Sequence, residues 1–268
     1  MSQPDASEDM RNYYDRVMDG WLPRQEQAHP YAENASWQRN YAALKEWVAT
    51  NKLQGGRVLE VGCGTGLLQD LVANYVGVDL AASSAAFMRK PFGVCSATAL
   101  PFPDSSFDGA FSVWVLEHIE RPEAMLAELR RVIRPGGSLF LVAAYAVAPW
   151  VAQGLHLRPS HELNLRQRLI KRTIPLRAST PYKIVTTLAR RSAYLLGALG
   201  GRPTRLHYGR LTPNFATYWD YDADACVSLD AYSVALYFLS RGDKPLYPTG
   251  LLRGMLLRSR PQIYQITQ

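Results

Sequence analysis

The spacing of apolar residues changes twice along the chain. In SWQRNYAALKEWVA they fall at 37, 41, 44, 47 and 48, the three-and-four spacing of a helix with one buried face. Ser36 stands where its N-cap would fall, and Gln54-Gly55-Gly56 ends this region. From Arg57 strands and helices alternate. RVLEV and YVGVDL read as buried strands, with LLQDLVA between them as a helix. SSAAFM follows as a short helix capped by Ser83 or Ser84, then FGVCSA as a third strand and FDGAFSVWV as a fourth. RPEAMLAELRRVI is a helix with Pro122 near its first turn and Arg130, Arg131 and Arg134 at the negative end of its dipole. RPGG stops it, and SLFLVAAY is a fifth strand. Such alternation predicts a parallel sheet, and such sheets bind ligands at the C-terminal ends of their strands.

Beyond residue 150 the alternation stops. YKIVTTLARRSAYLLGALG is helical, with Ile184, Val185, Leu188, Leu195, Leu196 and Leu199 on one face and Lys183, Arg190 and Arg191 on the other. SLDAYSVALYFLSRG reads as a capped helix ended by Gly242, and the tail LLRGMLLRSRPQIYQITQ is expected to supply closing strands.

Composition narrows the class. The 268 residues are 47% hydrophobic and 20% charged, enough for a core that needs neither metal nor disulfide. Cys63, Cys95 and Cys226 lie far apart with no CxxC pair, which fits a reducing compartment. MSQPDASEDM is too polar for a signal peptide, and LFLVAAYAVAPWVA is shorter than the roughly 20 apolar residues of a membrane span. A cytoplasmic location is expected. The net charge of +7 is local: residues 156–211 hold twelve Lys or Arg against one acid, Glu162, so the rest of the chain is net negative.

The candidate chemistry starts at VLEVGCGTG, where Gly62, Gly64 and Gly66 follow a strand. A turn this bare lets a ligand approach the main chain. The dinucleotide pattern G-x-G-x-x-G would need glycine at Leu67, and no Gly-Lys-Ser/Thr follows for a phosphate loop. NAD and ATP are therefore disfavoured, and a nucleoside with an amino-acid end and no pyrophosphate suits the turn. Asp79 ends the second strand, where its carboxylate would accept from two ribose hydroxyls or else cap the next helix.

VLEVGCGTG, YVGVDL and ATALPFPDSSFDGAFSVWVLEHIERPEAMLAELRRVIRPGGSLFLV together resemble the class I S-adenosylmethionine-dependent methyltransferases, specifically the type-11 methyltransferase domain family. The resemblance covers roughly residues 57–143. It implies an α/β fold: a Rossmann-like, seven-stranded, mostly parallel sheet flanked by helices, with one antiparallel strand. It also implies S-adenosylmethionine as cofactor, with Glu60, Gly62, Cys63 and Gly64 at its methionine end. Asp79 would hold the ribose, Leu80 would lie beside the adenine, and Ala97 and Thr98 would lie at the adenine edge. One departure is Cys95-Ser96, where many relatives carry Gly-Asp to receive the adenine amino group. The expected organisation is an N-terminal helical lid (1–54), a cofactor-binding core (55–149), a basic helical insertion acting as a cap (150–213) and a C-terminal completion of the fold (214–268).

Substrate-side candidates follow. His118, in WVLEHIE after the fourth strand, is either a general base or a structural residue bonded to nearby backbone. Some quinone-type O-methyltransferases that resemble this motif carry a metal-binding Glu three residues before Glu-His. Trp114 stands there instead, so no metal is expected. In YWDYDADAC an extended backbone would put Asp220, Asp222 and Asp224 on one face, for sugar hydroxyls, a cation or a metal, although a solvated loop is the plainer reading. Trp219 and Asp220 are substrate candidates there, as are Tyr14 and Trp21 in the N-terminal region, where Tyr13, Tyr14 or Trp21 would act as a lid. The basic block would meet an anionic membrane through residues 156–211, or pack as a cap over the active site. Nucleic acid is not expected, because 158–191 is poor in aromatics and carries no RNA-binding motif. The leading expectation is a methyltransferase acting at oxygen on a small or lipid-linked acceptor, sugars and natural products included. The alternative is a non-catalytic module of the same fold that binds nucleic acid or membrane. Nothing in the sequence sets the oligomer.

Overall fold

A computed structural model describes residues 6–21, 34–198, 203–215, 222–246 and 261–267. The elements in chain order are α1 (Ala6–Trp21), α2 (Ala35–Thr50), β1 (Arg57–Val61), β2 (Asn74–Asp79), β3 (Phe92–Val94), β4 (Phe107–Val113), α3 (Pro122–Val132), β5 (Ile133–Val142), α4 (Pro149–Ala152), α5 (Leu165–Ala178), α6 (Thr180–Ala198), β6 (Tyr208–Arg210), β7 (Val227–Leu229), α7 (Ala231–Leu239), β8 (Lys244–Pro245) and β9 (Gln262–Gln265). A seven-stranded sheet runs β3-β2-β1-β4-β5-β9-β8. The pairs β2–β3, β1–β2, β1–β4 and β4–β5 are parallel, and β5–β9 is antiparallel. Strand order reverses at β1, which lies between β2 and β4. A sheet of this kind opens its ligand crevice where the order reverses, beyond the C-terminal ends of the strands.

The chain divides into two compact units. The first comprises residues 1–115, 124–142 and 261–268. Its core is an aromatic cluster under α2. The Trp47 ring lies against Phe111 and Phe140, and its Nε1–H donates to Ser138 Oγ at 2.6 Å. Val58, Tyr75, Leu44 and Ile263 complete the cluster. These are the buried positions of the apolar runs, and their removal from water drives the assembly.

Local structure departs from the sequence reading in four places. Asn34, not Ser36, caps α2, accepting from Ser36 N and Trp37 N, while Ser36 Oγ takes a bond from Arg39. Residues 67–73 form successive turns, not a helix: Gln69 N bonds Gly66 O and Leu71 N bonds Leu68 O, so each bond spans three residues. β2 starts at Asn74, directly after these turns. SSAAFM becomes a 3₁₀ turn, Ala82–Phe87, preceded by Ala81, with neither serine as cap. RPGG does not separate α3 from the fifth strand. It forms a bulge inside β5, where Phe107 pairs Ile133 but Gly109 pairs Ser138. Gly137 sits so close to Asp108 O that a Cβ would lie 2.7 Å from it.

The second unit comprises residues 116–123 and 143–260. It contains the β6–β7 antiparallel pair, the buried helix α7 and the hairpin α5–α6. Asp230 caps α7 by accepting from Tyr232 N. The same carboxylate receives Arg190 Nη2 at 2.7 Å and Arg191 Nε at 2.9 Å. Both arginines of α6 therefore reach α7, Arg191 buried and Arg190 still 44% exposed. A buried carboxylate needs partners, and two arginines on the neighbouring helix supply them.

Trp47 tests the core of the first unit. Trp47→Ala should cost about 3–5 kcal/mol through cavity formation. Trp47→Phe, which leaves Ser138 Oγ without its donor, should cost about 1–3 kcal/mol. Urea unfolding of both variants measures these values.

Candidate functional site

The glycine turn occupies the C-terminal end of β1. Gly62, Gly64 and Gly66 all adopt left-handed φ, at +77°, +49° and +67°. At Gly62 a Cβ would lie 2.2 Å from Val115, so both conformation and space exclude a side chain there. The loop amides are already engaged. Gly62 N and Cys63 N both donate to Val78 O, Gly66 N donates to Cys63 O, and Gly64 N donates to Asp79 Oδ2 at 2.8 Å. Those four amides are not free to bind a pyrophosphate. What the turn offers a ligand is close approach beside acidic side chains.

Two acids stand at neighbouring strand ends. Asp79 uses one carboxylate oxygen on Gly64 N and the other on Ala81 N at 2.9 Å, ahead of the Ala82–Phe87 turn. It steadies the turn that follows, and its two oxygens keep further lone pairs. Burial raises its pKa above the usual value, against the lowering effect of its backbone bonds at Ala81, Gly64 and Leu80. Glu60 is 4% exposed and accepts the Tyr75 hydroxyl. Burial pushes it up to about 8, with Tyr75 opposing and Asp79 adding to the rise. Register explains the contact. Glu60 lies opposite Gly77 across β1–β2, and a Cβ on Gly77 would lie 2.8 Å from the Tyr75 hydroxyl. The bare position lets Tyr75 reach Glu60. Sequence reasoning missed Tyr75, although a strand glycine two residues beyond a tyrosine was a signal of close approach.

The segment after β3 is fastened to the same place. Cys95 N donates to Asp79 O at 2.9 Å, and burial followed by the Asp79 charge raises the Cys95 thiol to about 11. Ser96 Oγ is engaged with Thr98 Oγ1 at 2.9 Å, and Leu80, Ala97 and Thr98 are half-buried. On the other side, Asp15 of α1 accepts from Ser83 N and Ser83 Oγ, and its charge contributes to the rise at Asp79. Asp15 is a second residue that sequence reasoning missed. Tyr14 stands edge-on to Tyr13 at 5.2 Å on that helix. Trp21 ends α1, but its side chain lies outside the described residues, as do Trp219 and Asp220 entirely.

His118 belongs to the second unit. Its Nδ1 is 3.6 Å from Asp224 Oδ2 and its Nε2 is 3.9 Å from Glu117 Oε1. Burial lowers its pKa, but Glu117, Asp224 and Asp222 outweigh that and carry it upward. Glu117 is fully buried and accepts from Ala144 N at 2.9 Å. The aspartate run is not extended. Asp222 lies in a turn with φ +64°, and Asp224 is buried at His118, so these two do not share an open face.

A mostly parallel sheet with its strand order reversed at β1, a glycine turn on that strand, an acid at the tip of β2 and an antiparallel β9 against β5 define the class I methyltransferase fold. Residues 59–141 match the model of the methyltransferase domain family. It is 34% identical over 107 residues to a phosphatidylethanolamine N-methyltransferase of Cereibacter sphaeroides, covering 35% of this chain and 53% of the relative. It is 26% identical over 161 residues to a demethylmenaquinone methyltransferase of Symbiobacterium thermophilum, covering 53% and 63%. The match thus spans little more than half of these relatives. A solved structure of the [4+2]-cyclase SpnF is similar at 28% identity and TM-score 0.44, over 55% of this chain and 65% of that one.

Glu60 makes stability pH-dependent. Its folded pKa of about 8 stands above its ordinary 4.5, so its contribution is fully present below pH ~4.5 and is lost as pH rises through ~8. Glu60→Gln should therefore gain melting temperature relative to wild type as pH goes from ~5 to ~9. A constant difference across that range would contradict the assignment.

Proposed function

We propose that this protein transfers a methyl group from S-adenosylmethionine to a small or lipid-linked acceptor, with oxygen as the accepting atom. The observation that carries the reading is the Asp79 carboxylate, held by Gly64 and Ala81 amides with lone pairs to spare at the end of β2. The residues suit the cofactor's chemistry. Ribose hydroxyls match Asp79, and a cationic amino-acid end matches Glu60, whose charge is otherwise disfavoured by burial. When bound, the cofactor supplies an already activated methyl on sulfur. The chain's own part is to hold, orient and dry the reacting groups. Gly62, Cys63 and Gly64 would border the methionine end, Leu80, Ala97 and Thr98 the adenine, and Tyr14 on α1 would cover the site as part of an N-terminal lid. Ser96 Oγ, engaged with Thr98, would leave backbone to meet the adenine amino group.

His118 suits a positioning role better than a general base. Its nitrogens face Glu117 and Asp224, which hold the ring in place and carry its pKa upward against burial. An acceptor hydroxyl that ionises readily, such as a phenol or enol, fits a site without a strong base. The two relatives are named for phosphatidylethanolamine and demethylmenaquinone, acceptors with hydrocarbon tails, which supports the lipid-linked class. Among the described residues no helix is long and apolar enough to cross a membrane. Contact with lipid through residues 156–211 would then be peripheral.

Incubation of lipid and metabolite extracts with methyl-labelled cofactor, followed by mass spectrometry, should yield one labelled product class. Asp79→Ala should weaken calorimetric binding of S-adenosylhomocysteine by more than about tenfold, given the hydrogen bonds lost; wild-type affinity would remove Asp79 from the site. His118→Gln should retain cofactor binding and most turnover, with an unshifted pH profile. A drop of about a hundredfold or more in kcat would restore the base.

A further inference from the structure

We propose that the α5–α6 hairpin is a lipid-docking face that seats an apolar stripe in an anionic membrane surface. The proposal deepens the lipid-acceptor reading and rests on it for its purpose, whereas the contact itself is argued from the hairpin alone. α5 has no buried residue, and Leu165, Leu169 and Leu176 are 75%, 55% and 64% exposed. At the helical advance of ~100° per residue, these leucines fall within about 40° of one another. On α6, Tyr182, Val185 and Leu196 are exposed and fall within about 60°, with the exposed small residues Ala189 and Ala193 in the same sector. α5 thus presents one apolar stripe to solvent, and α6 presents a stripe together with Ile184, 52% exposed and about 100° or more away from it.

Charge selects the occupant. α5 and α6 contain eight Lys or Arg and no acid. Arg190 and Arg191 pair with Asp230, so the hairpin's remaining cations are those of α5, which flank its leucines, and Lys183. Arg166 and Arg177 flank the leucines on one side, and Arg168 and Arg172 on the other. Long cationic side chains beside a leucine stripe are the arrangement of a helix lying in the headgroup plane: apolar atoms enter the acyl boundary and guanidinium groups reach phosphates. A second copy of this chain would bring its own acid-free cations against these and be repelled. A nucleic acid would meet the arginines but leave the leucines in water.

The test is partition of the protein onto phosphatidylcholine vesicles with and without about one-third phosphatidylglycerol, at low and high salt. Wild type should bind the anionic vesicles, release as salt rises, and ignore pure phosphatidylcholine. A Leu165→Gln, Leu169→Gln, Leu176→Gln triple variant and an Arg166→Gln, Arg172→Gln, Arg177→Gln triple variant should each bind at least about tenfold more weakly. Hydrogen–deuterium exchange of the wild type, which needs no variant, should slow within 165–198 on adding anionic vesicles. Calorimetric binding of S-adenosylhomocysteine should stay at the wild-type value in both variants, which separates failure of docking from failure of the methyltransferase reading. Absence of binding at low salt, undiminished binding by the leucine variant, or unchanged exchange across the hairpin would overturn the proposal. So would a wild-type dimer that the leucine variant splits into monomers.

Discussion

The hydrogen bond from Gly64 N–H to the Asp79 carboxylate ties the turn after β1 to the tip of β2, and the geometry of the site follows from it. It depends on register. With Val61 opposite Val78, the amides of Gly62 and Cys63 both reach Val78 O, and Gly64 arrives beside Asp79. A slip of one residue would turn every side chain of β1 to the other face, moving Glu60 away from Tyr75 and the apolar residues out of the core. The pairing that builds the core therefore also sets the acids. Three left-handed glycines then let the chain turn without a side chain between the strand ends.

The acids are satisfied in an unusual way. Tyr75 faces Glu60 and main-chain amides face Asp79, all neutral donors. Neutral donors relieve a buried carboxylate without neutralising it, which is why burial prevails and both groups lie above their ordinary pKa. A place with two such groups at adjacent strand ends is poorly suited to phosphate. It favours a ligand that brings hydroxyls and positive charge. The consumption of loop amides within the turn strengthens the same preference from the opposite direction, since a phosphate loop keeps such amides for its ligand.

The strands were legible because RVLEV, YVGVDL and FDGAFSVWV are apolar runs bounded by turn residues. The glycine turn and Asp79 were legible because their chemistry depends on separation along the chain. Contacts between strands were not. Tyr75 reaches Glu60 only because Gly77 is bare and lies opposite, a fact of register that no single strand contains. Asp15 stands on a helix whose spacing says nothing about Ser83. The turns over 67–73 were misread as a helix because LLQDLVA has helical composition, whereas the backbone closes into bonds that span three residues. Helix caps missed by a residue or two because several neighbouring side chains can accept from a free amide, and backbone conformation selects among them.

The basic segment carries the largest difference between pattern and fold, and its cause is a single residue. Helical spacing assigns the apolar side of α6 to the interior and Arg190 and Arg191 to solvent, since burying charge costs more than exposing leucine. That ordering holds only when no partner waits inside. Asp230, some forty residues further on, must accept at the N-terminus of α7 while nearly excluded from water, and it is stable there only with cations against it. With Arg191 buried against it and Arg190 paired to it while still exposed, neither arginine lies on the side of Val185 and Leu196, which helical geometry turns outward. The exposed apolar stripe is thus a consequence of an ion pair at the neighbouring helix. A count of local charge suggests a surface that acts through arginine, whereas the fold presents leucine in the middle and arginine at the margins.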